Sequence, residues 1–218
     1  MSGVDESKKE EGSFPKYNYK KLFFGFLVVV LLVFAFFYFG DDSEEDDIYE
    51  FYNGYYFSKD PNPNLENVWY TNIRTGEGEQ RISLRYHPLD LEHIPFDSDV
   101  NQYLYLTQLA EGNVSFALSK EALESGSGLV GLAAHDLIRI LRVFFDFNVD
   151  VAADGLEDYD WVSCDDASVE NFVLILEEGD IGVESEPFCA RLSFDTANPS
   201  EASKVSSLFL YKILGVMD

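Results

Sequence analysis

"NFVLILE", residues 171–177, decides how this chain folds. Five consecutive apolar residues between Asn171 and Glu177 leave no polar face, the pattern of a strand buried on both sides. Working outward, residues 189–195 alternate apolar and polar and suit a half-buried strand, and 147–151 also reads as a strand. Residues 129–145 form a helix in which Leu132, Ala133, Leu137, Ile140, Leu141 and Phe144 make a wide apolar face that must cover a sheet. His135, Arg139 and Arg142, with Asp136 beside them, make a polar stripe expected to face solvent. A last helix is marked by Asn198 as cap, Pro199 at the first helical position and Glu201 three residues after the cap. Apolar residues then recur at 202, 205, 208, 209 and 213 until Gly215 stops it.

Upstream, 68–75 and 80–86 are strand-like and joined by Gly76-Glu77-Gly78-Glu79, which predicts a hairpin. Residues 102–109 and 114–118 flank Ala110-Glu111-Gly112-Asn113 and read as a second one. Between the hairpins, "YHPLDLEHIPF" (86–96) holds a short turn or single helical turn bracketed by Pro88 and Pro95. The aromatic stretch 48–57 is either a first strand or a connector. These elements predict an α/β or α+β domain over 67–218, two layers with a mixed sheet and two main helices. About 150 residues suffice to bury roughly 70% of the unfolded surface.

The N-terminal part is of another kind. Residues 22–39 carry no charge, and at ~1.5 Å per helical residue they span about 27 Å, close to a hydrocarbon core of about 30 Å. Tyr17, Tyr19, Lys20, Lys21 and Tyr38 supply interfacial side chains. Phe37-Tyr38-Phe39-Gly40 puts aromatics where a cleaved signal needs small residues, so 22–40 reads as a transmembrane anchor in contact with membrane lipid. Lys8, Lys9, Lys16, Lys20 and Lys21 precede it and no base follows until Lys59, which places 1–21 in the cytoplasm and 41–218 outside, on a single-pass chain. Residues 41–66 form an acidic and aromatic stalk. Of 40 acids and 15 bases, 36 and ten follow the anchor, a formal charge of −26 that disfavours nucleic acid as a partner.

Cys164 and Cys189 are the only cysteines, and outside the cytoplasm they read as one disulfide. Asn113-Val114-Ser115 is a glycosylation sequon. Asp146, Asn148, Asp150, Asp154 and Glu157 fall at positions 1, 3, 5, 9 and 12 of a calcium loop, but Val151 stands where the loop needs glycine. They are the candidate metal ligands, with calcium the one candidate cofactor. The alternation of Phe147, Val149 and Val151 with the acids is what a half-buried strand shows, and the strand is the favoured reading. Gly126-Ser127-Gly128-Leu129-Val130-Gly131 matches a dinucleotide fingerprint, yet 119–125 separates it from the preceding strand. His87 and His93 bracket Asp90 and Glu92 in a proline-bounded loop, and His135 lies on the polar stripe. No nucleophile elbow, metalloprotease helix or phosphate loop is present.

"RYHPLDLEHIPF" (85–96) and "FCARLSFDTANPSEASKVSSLFLYKILGVM" (188–217) resemble a short Arg-x-x-Pro…Ile-Pro segment and a Cys-led strand with closing helix found in a group of uncharacterised single-pass membrane proteins of small-genome archaea. The resemblance spans most of 20–218, although Ala190 stands where that group carries Ile. It implies an archaeal envelope setting and no catalytic activity. The expected function is a non-catalytic, membrane-anchored binding or envelope-assembly module with a protein partner outside the membrane. The alternatives are a calcium-binding domain and a hydrolase of unknown class.

Overall fold

Phe172 through Leu176 are fully buried, as their unbroken apolar run demands. The computed structural model describes residues 49–60, 68–75, 78–156 and 161–217. In it β7 (Asn171–Glu178) hydrogen-bonds two parallel neighbours, β5 (Asn113–Leu118) and β9 (Cys189–Phe194). Beyond β5 lies β6 (Val149–Ala153), also parallel, and beyond β9 lies β8 (Gly182–Glu186), antiparallel to it. The sheet is therefore mixed, in the order β6-β5-β7-β9-β8. The outer edge of β8 is closed by 95–97: Val183 N–H donates to the Pro95 carbonyl, and Asp97 N–H to that of Val183. An edge covered in this way offers no row of free backbone groups to another chain.

A second sheet was not anticipated. β1 (Tyr49–Tyr52), β2 (Tyr55–Lys59), β3 (Trp69–Thr75) and β4 (Gly78–Leu84) form an antiparallel meander. Its β3–β4 pair is the expected hairpin. Its β1–β2 pair lies within the segment read as stalk, so the folded unit begins before residue 67 and takes in 49–59. Phe57, Trp69, Ile73, Ile82 and Leu84 of this sheet point into the core.

Four helices accompany the sheets: α1 (Asp99–Leu109), α2 (Lys120–Glu124), α3 (Gly128–Phe145) and α4 (Ser200–Ile213). Nearly every residue of α4 from Ala202 to Tyr211 is buried, which only a helix with neighbours on all sides achieves. On one flank it lies against β9. On the other, the Tyr211 ring stands 5.8 Å from that of Phe57, and its hydroxyl donates to the Tyr86 carbonyl at 2.9 Å. Burial pushes the Tyr211 phenol well above its ordinary pKa. From α3, the Arg139 guanidinium donates to the Ser83 carbonyl of β4 at 3.1 Å. Two layers thus become three, with α3 and α4 between the sheets. Ser203, Ser206 and Ser207 hid this in the sequence, because they look like a wet face yet are only 2–3% exposed.

The expected second hairpin is corrected: 99–109 is helical. Val100, Leu104 and Thr107, at i, i+4 and i+7, are its buried residues, and this helical spacing overrides the alternation of Tyr103, Tyr105 and Thr107 that suggests a strand. The turn in 86–96 is a single 3₁₀ turn over Pro88–Asp90. Residues 1–48, including the proposed anchor, lie outside the described residues. Among those described, no helix is long and apolar enough to cross a membrane.

Candidate functional site

Strand alternation gives the first sheet two contrasting faces. Inward go Phe57, Trp69, Thr71, Ile73, Ile82 and Leu84, all buried. The outward positions hold Phe51, Tyr56, Tyr70, Asn72, Arg74, Glu79 and Arg81, without one aliphatic side chain. Phe51 and Tyr56 oppose each other across β1 and β2, their rings 5.0 Å apart and 61% and 70% exposed. The Arg81 guanidinium lies 4.1 Å over the Tyr70 ring, and the Tyr70 hydroxyl donates to Asp60, a bond that raises the phenol's pKa. Arg74 opposes Glu79 in the β3–β4 register, 3.6 Å from its carboxylate, with both side chains largely exposed.

The β1–β2 turn completes the site. Asn53 and Gly54 take φ of 45° and 89°, the left-handed pair of a two-residue hairpin that Asn-Gly favours. The Asn53 amide donates to the Val216 carbonyl at 3.0 Å, fastening the turn to the segment after α4. Between this turn and the end of β3–β4 lies an open depression of about 560 Å³, lined by Asn53, Tyr55, Tyr56, Asn72, Arg74 and Glu79. Rings beside planar amide, guanidinium and carboxylate groups can stack against a ligand and hydrogen-bond it in pairs. Sequence reasoning missed this site. Its signal was Asn53-Gly54 between aromatic residues, overlooked because the acidic stretch before it made 41–66 look like stalk.

Beneath the same sheet, His87 is 2% exposed among the rings of Tyr52, Phe57 and Trp69. Its Nδ1 accepts from Leu89 N–H at 3.3 Å and stands 3.5 Å from the Glu50 carboxylate, while Nε2 has no hydrogen-bond partner. Desolvation lowers its pKa from the ordinary 6.5, against the pull of Glu50 and Asp90. His93 is exposed.

The other sequence candidates are dispersed. Cys164 and Cys189 are joined in a disulfide with Cα atoms 5.5 Å apart. Asn113 is exposed at the start of β5, and Ser115 of its sequon donates to the Asn171 side chain at 2.8 Å. Asp146 ends α3 in the left-handed conformation, Asp150 is exposed on β6, and Asp154 follows in a turn. Asn148 precedes that strand, and Glu157 lies outside the described residues. Among the described residues no group of three or more His, Cys, Asp or Glu side chains could hold a metal ion. The glycine run of 126–131 enters α3 after the short α2, and Ser127 caps the helix by accepting from Leu129 N–H. His135 and Arg142 of the polar stripe are exposed, Arg142 also donating to the Val149 carbonyl at 2.6 Å, while Arg139 is half-buried and reaches β4. Comparison with protein families, with curated proteins and with solved structures finds no match to this chain.

Proposed function

We propose that this chain is a non-catalytic binding or envelope-assembly module, anchored in a membrane by residues 22–40 and exposing 41–218 outside. It recognises a protein partner there through the outer face of β1–β4. The observation that carries this reading is the exposed Phe51–Tyr56 pair beside Arg74 and Arg81. Large rigid rings and guanidinium groups are the residue types that dominate recognition surfaces, and here they stand on a sheet whose other face is sealed into the core. A chain with 40 acids and 15 bases places two of its few arginines on this one surface. The N-terminal lysines and the absence of bases from 22 to 58 support the orientation.

The test is a photo-crosslinking amino acid placed at Tyr56 and, as a control, at exposed Val143 of α3, in cells carrying the full-length chain. A defined protein adduct should form from position 56 and not from 143. Equal labelling from both positions would remove the face from its assigned role.

A further inference from the structure

We infer that the outer face of β1–β4 binds a neutral oligosaccharide, with Phe51 and Tyr56 stacking on its pyranose rings and Asn72, Arg74 and Glu79 hydrogen-bonding its hydroxyls. This rests on the reading of that face as the recognition surface and names the chemistry recognised there, the sugar chain being carried by the protein partner. Three observations narrow the ligand class.

The first is the composition of the face. A pyranose presents a C–H face and a rim of adjacent hydroxyls. The negative face of an aromatic ring attracts the C–H groups, and side chains with two coplanar donors or acceptors match the hydroxyl pairs. Phe51 and Tyr56 supply the rings, and the depression beside them is lined by such planar groups with no aliphatic side chain.

The second is size. Four strands about 4.8 Å apart and at most about seven residues long make a platform on the order of 400 Å². It suits a short run of sugar units.

The third is charge. The acidic balance of the chain repels nucleic acid and acidic glycans alike, whereas a neutral sugar approaches without that opposition. Arg74 and Glu79 offset each other at 3.6 Å, and Arg81 is held over Tyr70, so the face carries no large uncompensated positive field.

The experiment uses the full-length chain in a detergent free of sugar groups, applied to an array of neutral hexose and N-acetylhexosamine oligosaccharides. Retention on at least one neutral glycan is expected. Tyr56→Ala and Asn72→Ala should each weaken it at least ten-fold, and Tyr56→Phe, which keeps the ring, should retain most of it. Circular dichroism of each variant must match the parent, and Asn72, fully outward, serves if Tyr56→Ala unfolds. Periodate treatment of the crosslinked partner's glycans before capture should abolish capture. Retention on no neutral glycan, retention indifferent to both alanine variants, or capture indifferent to periodate overturns the inference. A protein adduct from position 56 together with any of these leaves the binding face standing and removes only the sugar.

Discussion

His87 shows how much one side chain depends on its surroundings. Its Nδ1 accepts the Leu89 N–H at the head of the 3₁₀ turn, which requires the neutral ring, and the aromatic enclosure withholds the water an imidazolium needs. Its folded-state pKa therefore lies below that of the unfolded chain. For a depressed pKa, stability is complete above the unfolded value and is lost as pH falls through the folded one. Glu50 and Asp90 oppose the shift without reversing it. The urea midpoint of the parent should thus fall below about pH 6.5 relative to that of His87→Gln, followed by Trp69 fluorescence. Parallel pH profiles for the two proteins would exclude the buried neutral histidine. None of this was legible in "YHPLDLEHIPF": the prolines mark a turn, but the rings that enclose His87 come from β1, β2 and β3.

At the scale of elements, the second face of the mixed sheet is the instructive case. Its other face is covered by helices, but here the cover is a short segment with a single 3₁₀ turn at Cys164–Asp166: Val162, Cys164 and Ala167 lie over Ala117, Ala152, Val173, Ile175 and Cys189. The turn is closed locally by Asp166 N–H to the Ser163 carbonyl and by Ser163 N–H and hydroxyl to the Asp166 carboxylate, and the Cys164–Cys189 bridge fastens it to the first residue of β9. A bridge spanning 25 residues is worth about 3.5 kcal/mol in the chain-entropy model. The double variant Cys164→Ala/Cys189→Ala should lose about that much in urea unfolding, with faster amide hydrogen exchange at 161–167 and little change in α4. Unchanged exchange at 161–167 would mean that packing alone holds the segment. The pairing was readable, since two cysteines have one way to join. That they staple a cover over the sheet was not, because 156–168 carries no helical or strand period. The error at α1 is related: 99–109 satisfies both periods, and contact with the sheet selects the helical one through Val100, Leu104 and Thr107.

For the whole molecule, the proposed anchor and orientation rest on charge. The ten bases and 36 acids after residue 40 make that part strongly acidic, and under the proposed orientation the five lysines before the apolar run stay on the cytoplasmic side. A reporter active only outside the cytoplasm should therefore be active when fused after Asp218 and silent when fused before Met1. The reverse pattern would overturn the proposed orientation and, with it, the exterior partner.

The sequence by itself determined the strand with no polar face, the long amphipathic helix, the β3–β4 hairpin, the bridge and the last helix, although that helix starts at Ser200 with Pro199, not Asn198, at its N-cap and no capping side chain. Each is written in contiguous residues or in a residue type with one possible partner. Only the tertiary structure decided that the helices stand between two sheets, that the serines of α4 are buried, that 99–109 is helical, and that one face of β1–β4 stays open beside Phe51 and Tyr56. Local periodicity reports which side of an element is apolar. What covers that side, and which polar side goes uncovered, depends on elements distant in sequence, here β2 against α4 and Asn53 against Val216.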